Sequence, residues 1–223
     1  DTEDATSKFY LAQGLATRAF SYWVLAQLYQ FNYVGNETEP CVPIITPENI
    51  DIAAIDGVRR STVKEVYDLI NSDLNTAIGL LEDAESEGVT RADKRYISLA
   101  VAYGLRARVN LTMQKWSEAA QDAQSAIDHS EATPASIDDV SKPAFWSADE
   151  SNWMWGIIIA ETDRVVTSGI VNWISHMGSL NYGYAWYSKG KQINKILYES
   201  INSSDIRKGW WLDENSTSAN LTD

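Results

Sequence analysis

The pattern of apolar and polar positions predicts a chain built mainly from amphipathic α-helices. Residues 6–31 are apolar on most faces, with Trp23 among them, so this segment is predicted as an interior helix. Arg18 lies within it and needs a carboxylate or carbonyl partner if it is buried. Residues 32–60 contain three prolines and two glycines, which predicts a long loop inserted after the first helix.

The second predicted helix has a defined start. Thr62 at the N-cap and Glu65 three residues later form a capping box pattern. An apolar stripe from Val63 to Leu81 follows at helical spacing. The opposite face carries polar residues, which are Lys64, Asp68, Asn71, Ser72, Asn75 and Thr76. This helix is therefore expected to pack on one side and meet water on the other.

A second pair of helices follows. One is predicted from about Asp93 to Gln114, with small residues that allow a neighbouring helix to approach closely. The next begins almost at once, with Ser117 as a candidate N-cap and alanines at helical spacing. So short a turn predicts an antiparallel helical hairpin. Residues 1–130 are thus predicted to be a region of tetratricopeptide-like helical hairpins with an insertion at 32–60.

The helical periodicity of apolar residues is lost after Ser130. Residues 131–223 are predicted to be a loop-rich aromatic region of the same domain, with one further helix from near Ser188. Residues 153–159 are apolar and predict a buried strand or an irregular core segment. The tryptophans expected in the core are Trp23, Trp116, Trp153 and Trp155.

Composition narrows the classes of partner. Acidic residues outnumber basic ones 31 to 18, so the net charge of -13 disfavours binding to nucleic acid phosphates. The single cysteine, Cys41, is expected to be a small buried hydrophobe. No apolar run approaches the roughly 18 to 20 residues of a membrane-spanning helix. The chain itself is therefore not expected to cross a bilayer.

The sequence contains none of the common catalytic, nucleotide-binding or metal-binding motifs. His129 and His176 lie in unrelated segments and are expected to be surface or core residues. Acidic clusters at 82–87 and 138–139 lack calcium-loop spacing and are expected to be solvated surface. The prediction is a binding protein, not an enzyme, with no catalytic residue, cofactor or metal.

Aromatic residues are the remaining candidates for function, because the chain holds nine tryptophans and eleven tyrosines. A glycine-interrupted stretch within 167–187 concentrates them. The candidate glycan contacts there are Trp173, Asn181, Tyr182, Tyr184, Trp186 and Tyr187. Flat rings offer an apolar platform to the C–H faces of a sugar, and amides bind its hydroxyls. Each ring can instead fill the core.

Several ordered motifs resemble those of the SusD/RagB family of surface glycan-binding lipoproteins of Bacteroidetes. The run Arg18-Ala19-Phe20-x-Tyr22 is similar to a helix of that family, and Arg60-x-Thr62-x-x-Glu65-Val66-Tyr67 resembles its most recognisable segment. Leu105-x-Ala107-Arg108, Trp116-x-x-Ala119 and Asp205-x-Arg207 continue the resemblance in order. Family members are typically much longer, so the chain is expected to be part of a larger protein.

The resemblance implies oligosaccharide binding for nutrient uptake in polysaccharide utilisation. It implies a TonB-dependent outer-membrane transporter as partner and a surface-exposed place on the outer membrane. Membrane attachment would come only from a lipid anchor upstream of this chain. The insertion from Tyr33 to Asp56 is a second place where binding or transporter contact is expected.

Two alternatives remain. A helical-repeat protein-protein interaction module would bind a protein or peptide along a groove lined by Asn71, Asn75 and Gln114. A glycoside hydrolase fragment would need a pair of carboxylates whose spatial separation the sequence cannot show.

Overall fold

The computed structural model shows a mainly α-helical protein, as predicted. It describes residues 3–140, 147–158, 160, 162–164, 192–212 and 215–221. The chain divides into two compact units, Asp1–Glu131 and Ala132–Asp223. The first holds α1 (Ala5–Tyr29), α2 (Ile50–Ile55), α3 (Val63–Ser86), α4 (Leu99–Thr112) and α5 (Trp116–Asp128). The second holds α6 (Ile137–Val140), α7 (Lys195–Ser200) and 3₁₀ helices at Ile206–Trp210 and Ser218–Asn220. That both units belong to one domain stays a prediction.

Helices α1 and α3 form the first antiparallel pair. Lys8, near the start of α1, lies 3.2 Å from the Asp83 carboxylate near the end of α3. Farther along α1, the Arg18 guanidinium donates two hydrogen bonds of 2.7 Å to Asp73, in the middle of α3. The predicted partner of Arg18 is thereby identified as a carboxylate. The apolar stripe of α3, including Ile70 and Leu74, is buried as predicted.

Helices α4 and α5 form the second pair, which confirms the predicted hairpin. Gln114 in the turn has a φ of 59°, in the left-handed region that allows a tight reversal. The Lys115 N–H donates to the Asn110 carbonyl at 2.9 Å and closes the turn. A Cβ at Gly104 would lie 3.8 Å from the Ala126 Cβ, so small residues do let the two helices approach.

Helix α4 joins the two hairpins, because it contacts α3 and, less extensively, α1. The Gln13 amide accepts from the Ile97 N–H at 2.7 Å and donates to the Ile97 carbonyl at 2.8 Å. The Trp23 Nε1 donates to the Thr112 hydroxyl at 3.2 Å. Because these contacts advance in the same direction on both helices, α1 and α4 run parallel. Two stacked antiparallel pairs give the tetratricopeptide-like arrangement that the sequence predicts.

The insertion between α1 and α3 is closed at its base. The Cys41 N–H donates to the Ser61 carbonyl at 2.6 Å, and the Ser61 N–H donates to the Val42 carbonyl at 3.1 Å. The Arg60 guanidinium donates to the Cys41 and Pro40 carbonyls. Cys41 is 1% exposed, and burial raises the pKa of its thiol. The prediction of a small buried hydrophobe is confirmed.

Several predicted helix boundaries are wrong for local reasons. α4 begins at Leu99 instead of Asp93, because the Ser98 hydroxyl caps it and the Asp93 carboxylate binds Arg95. α5 begins at Trp116, before the predicted Ser117 cap. α7 begins at Lys195, where Asn194 caps it, and residues 192–194 before it are not helical; Ser188, near which the last helix was predicted to begin, lies outside the described residues.

Some predictions of burial are also wrong. Trp116 is 61% exposed, because it lies in the first turn of α5 outside the face that packs on α4. Ile157 and Ile158 are 76% and 48% exposed, and the described residues 147–158 contain no strand. Trp153 and Trp155 are half-buried. Trp23 is buried as predicted.

Helix α1 is only partly an interior helix. Its exposed apolar residues are Tyr10, Leu11, Leu25, Leu28 and Tyr29. Among the described helices of the first unit, α1 packs mainly against α3 and also contacts α4. The face that carries these five residues is exposed, and the prediction of an interior helix is wrong for that face.

The capping box of α3 is expected to contribute measurably to stability. The Thr62 hydroxyl accepts from the Glu65 N–H at 3.2 Å, and the Glu65 carboxylate accepts from the Thr62 N–H at 2.7 Å. Thr62→Ala should lower the free energy of unfolding by about 1 kcal/mol. Thr76→Ala, at an exposed position of α3, is the control and should change it by less than about 0.5 kcal/mol. Urea denaturation followed by circular dichroism compares the two, and equal losses would contradict the role of the cap.

Candidate functional site

A concave surface on the first unit, which we name the polar cleft, lies between α3, α4 and α5. Its volume is about 720 Å³, within the usual range for small-ligand sites. The residues lining it are Tyr33, Lys64, Asp68, Asn71, Ser72, Asn75, Arg106, Asn110, Met113, Lys115, Glu118, Gln121 and Asp122. All but Met113 are charged or carry a hydrogen-bonding hydroxyl or amide group.

Helical spacing explains why these polar residues converge. The polar face of α3 repeats every three or four residues from Lys64 to Asn75, so its side chains share one side of the helix. Arg106 and Asn110 are one turn apart on α4. Asp122 lies on the face of α5 that packs against α4. Each helix therefore places a polar stripe against the same cleft.

The floor of the polar cleft is a buried hydrogen-bond network around Asp122. The Arg106 guanidinium donates to both Asp122 carboxylate oxygens, at 2.6 and 2.9 Å. A third Arg106 nitrogen donates to the Asn75 Oδ1 at 2.8 Å, and the Asn110 amide donates to Asp122 at 2.9 Å. Asp122 and Asn110 are each 6% exposed. A bidentate guanidinium–carboxylate pair has a fixed geometry, so this network holds the floor rigid.

The ionised state of the lining is set by its own hydrogen bonds. The bond to Asp122 raises the pKa of Arg106, and the bond to Asp68 raises the pKa of Lys64. Both cations therefore stay charged at neutral pH. Burial raises the pKa of Tyr33, whose ring lies edge-on to the Tyr67 ring with centroids 4.9 Å apart. The Tyr33 hydroxyl therefore stays neutral and can both donate and accept.

Other side chains keep hydrogen-bonding groups available. Among the described residues, the Asn75 amide nitrogen and the Gln121 side-chain amide have no hydrogen-bond partner. The same holds for the Ser72 hydroxyl within the described part of the chain. All three residues are exposed. Groups that face water in this way can exchange it for the hydroxyl or amide groups of a ligand.

A second, apolar cleft of about 640 Å³ lies between α1 and the insertion. Its lining residues are Tyr22, Leu25, Tyr29, Cys41, Val42, Pro43, Ile45 and Arg60. The Tyr22 hydroxyl accepts from the Ile45 N–H at 2.8 Å and so ties the insertion to α1. This cleft offers few polar groups and suits a contact with an apolar surface.

The predicted glycan contacts stay untested, because the structure does not describe the residues concerned. Trp173, Asn181, Tyr182, Tyr184, Trp186 and Tyr187 all lie outside the described residues. His176 does too, whereas His129 lies on the surface, stacked on the Tyr103 ring with centroids 5.7 Å apart. The arrangement of the aromatic stretch stays a prediction.

The groove expected for a helical-repeat module is present in part. Asn71 and Asn75 line the polar cleft. Gln114 does not, because it occupies the tight turn between α4 and α5. The face of α3 that was expected only to meet water is thus one wall of a cleft.

Sequence reasoning missed Arg106, Asn110 and Asp122. The available indication was chemical: each lies within a helix whose other inward positions are mostly small or apolar. A charged residue at such a position needs a partner, as Arg18 did. The same argument, applied to Arg106 and Asp122, would have paired α4 with α5 across the network.

In residues 3–140 and the other described segments, no group of three His, Cys, Asp or Glu side chains is arranged to hold a metal ion. None of the helices in the described part combines the length and apolar character that a membrane crossing requires.

Comparison with known proteins identifies the family. Residues 2–111 match the SusD-like family model, which is described as starch-binding and associating with the outer membrane. Residues 2–111 of the chain belong to the SusD-like family. The matched residues contain α1, the insertion, α3 and most of α4, so both the cleft wall on α3 and Arg106 lie within SusD-like sequence. No curated protein matches the chain significantly.

Solved structures share the fold. A SusD-like carbohydrate binding protein from Bacteroides vulgatus aligns with a TM-score of 0.73 and 23% identity, covering 98% of this chain and 44% of that protein. A SusD superfamily protein from Bacteroides thetaiotaomicron aligns with a TM-score of 0.51 and 21% identity, covering 63% of this chain and 29% of that protein. The chain therefore spans less than half the length of these two proteins.

Proposed function

We propose that the chain is part of a surface protein that binds oligosaccharide and delivers it to a TonB-dependent outer-membrane transporter, without catalysis. The observation that carries this is the match of residues 2–111 to a family described as starch-binding and associating with the outer membrane. The shared fold with a SusD-like carbohydrate binding protein supports it. Binding would rest on stacking and hydrogen bonds, with no bond made or broken.

Attachment to the outer membrane is proposed to come from a lipid anchor upstream of residue 1, with the protein exposed at the cell surface. The association in the family's description supports this. Anchoring next to a transporter raises the effective concentration of captured sugar at its entrance. The apolar cleft beside the insertion is the proposed place of contact with the transporter, since it exposes Leu25 and Tyr29. Co-purification of a transporter with the tagged full-length protein tests the partnership.

The proposed sugar contacts are Trp173, Asn181, Tyr182, Tyr184, Trp186 and Tyr187. Rings on a glycine-interrupted stretch can present flat faces to a pyranose, and the Asn181 amide can bind its hydroxyls. The double variant Trp173→Ala/Trp186→Ala is expected to weaken glycan binding at least about tenfold, which is 1.4 kcal/mol. Affinity electrophoresis in gels containing neutral polysaccharides measures the loss.

Trp211→Ala is the matched control, because Trp211 is a half-exposed tryptophan outside the aromatic stretch. It should leave binding unchanged. Equal binding by all three proteins would contradict the assignment of the rings. No binding of any glycan by the full-length protein, with no co-purifying transporter, would contradict the proposed function. Release of reducing ends from a bound polysaccharide would favour the glycoside hydrolase alternative.

A second candidate is a helical-repeat module that binds another protein or a peptide. The position of Asn71 and Asn75 in the polar cleft favours it, since amides on helices can hold an extended main chain. It predicts that cleft variants lose binding to a protein partner while glycan binding is unaffected. The charge balance and the apolar surface of the polar cleft distinguish a peptide ligand from a sugar.

A further inference from the structure

The charges of the polar cleft cancel. Its lining holds three cations and three carboxylates, which are Lys64, Arg106, Lys115, Asp68, Glu118 and Asp122. Two of the cations are already paired, Arg106 with Asp122 at 2.6 Å and Lys64 with Asp68 at 2.6 Å. The lining itself therefore gives no electrostatic preference to an anion or a cation, and the net charge of -13 of the whole chain disfavours an anion. The polar cleft suits a neutral ligand with many hydrogen-bonding groups.

The arrangement of donors and acceptors fits hydroxyl groups. Arg106 holds the Asn75 Oδ1 at 2.8 Å, so the Asn75 amide nitrogen is directed away from that bond and can donate to a ligand. Gln121 stands on α5 and Ser72 on α3, and each offers both a donor and an acceptor. A sugar hydroxyl also donates and accepts at once, so these groups can be satisfied in pairs. Because the floor is already fixed, little ordering of the floor is required on binding.

The small apolar surface of the polar cleft matches a sugar better than a peptide. Among its lining residues only Tyr33 has an aromatic ring and only Met113 is aliphatic. Peptide affinity comes mainly from a few apolar or aromatic anchors in dry pockets, and the cleft offers no such pocket along its lining. A pyranose needs one ring for its C–H face and polar groups around it, and the Tyr33 ring, supported by Tyr67, can provide that face.

We propose that the polar cleft is a binding subsite for a neutral oligosaccharide, formed by residues other than the glycan contacts proposed in the aromatic stretch. It lies within Asp1–Glu131 and uses residues of α3, α4 and α5 together with Tyr33 of the insertion. This inference rests on the proposed glycan function and adds a second place where the same class of ligand binds. A chain with two subsites holds a long glycan more tightly than either subsite alone.

The test fills the polar cleft without disturbing the core. Ser72→Trp places a large ring in the cleft from an exposed position, and Thr76→Trp places the same ring one turn along α3, outside the lining. With starch, mannan, xyloglucan and mixed-linkage glucan as probes, Ser72→Trp should bind the best neutral probe about tenfold more weakly than wild type. Thr76→Trp should bind normally. Far-ultraviolet circular dichroism confirms that both variants fold.

A milder test removes one side-chain amide from the polar cleft and compares it with an amide removed outside the cleft. Gln121→Ala should weaken binding about threefold, the effect of one hydrogen bond. Gln124→Ala, three residues along α5 and outside the lining, should not. Polygalacturonate, a charged glycan, should bind no better than the neutral probes. Each of these results supports the subsite.

Other results overturn it. If Ser72→Trp and Gln121→Ala bind like their controls while Trp173→Ala/Trp186→Ala binds weakly, the polar cleft is not a sugar subsite and the glycan function stands. If wild type binds none of the neutral probes, the subsite and the glycan function both fail. If cleft variants change binding only to peptides, the subsite is wrong and the interaction-module candidate is favoured.

Discussion

Replacing Arg18 by methionine is expected to lower the free energy of unfolding by about 3 kcal/mol. The reason is the burial of its partner: the Asp73 side chain is 5% exposed, and Arg18 supplies two hydrogen bonds of 2.7 Å to its carboxylate. Without the guanidinium, a carboxylate would remain in the interior with no cation beside it. The value lies at the lower end for broken buried pairs, because the Arg18 side chain itself is 34% exposed. Urea denaturation followed by circular dichroism gives the free energy.

Lys64→Met is the matched control on the exposed side of α3. It removes the ion pair between Lys64 and Asp68, whose charged atoms are 2.6 Å apart. The Lys64 side chain is 61% exposed and the Asp68 side chain is 58% exposed. Exposed pairs contribute about 0 to 1 kcal/mol, so this variant should be nearly as stable as wild type. The double variant Arg18→Met/Asp73→Leu should recover most of the loss, since it leaves no buried charge. A stable Arg18→Met protein would show that the pair does not hold α1 to α3.

Leu74→Ala is expected to lower the free energy of unfolding by about 3 kcal/mol. Leu74 is 1% exposed and lies on the stripe of α3 that packs against α1. The truncation removes buried methyl groups and leaves a cavity that helices fixed by ion pairs cannot fully close. The same denaturation experiment measures it.

Leu111→Ala provides the control for the same chemical change at the surface. Leu111 on α4 is 54% exposed, so its truncation removes little buried surface and should cost less than about 0.5 kcal/mol. If the two leucine variants lost equal stability, the seam between α1 and α3 would not be the core of the first unit.

The parts of the fold predicted correctly are those fixed by local sequence. The start of α3 depends on Thr62 and Glu65, three positions apart, and both hydrogen bonds of that capping box form. The hairpin of α4 and α5 depends on a turn too short for any other arrangement. The start of α4 was wrong because Asp93 bonds to Arg95 next to it instead of capping a helix.

Burial was harder to predict because it depends on which neighbours exist. An apolar residue at helical spacing indicates a face, but not what covers that face. Trp116 and Ile127 both fit the periodicity of α5, and both are more than half exposed. The exposed face of α1 has the same explanation.

The candidate site could be predicted only in part. The polar face of α3 was recognised, because its spacing is visible within one helix. That this face lies close to Arg106 on α4 and Asp122 on α5 depends on how three helices pack, and no local sequence pattern gives the distances between them. The aromatic stretch was recognised from composition alone, so its glycan contacts stay a prediction.

The closed base of the insertion has a consequence for how this protein can vary. Hydrogen bonds that join Cys41 and Val42 to Ser61 hold two points of the insertion together beside the first turn of α3. The entropic cost of a flexible loop between fixed ends rises by only about 0.6 kcal/mol for each doubling of its length. Residues 46–59, between the contacts of Ile45 and Arg60, can therefore gain or lose segments with little effect on the helical pair beneath them, which leaves this part of the surface free to change from one relative to another while the scaffold is kept.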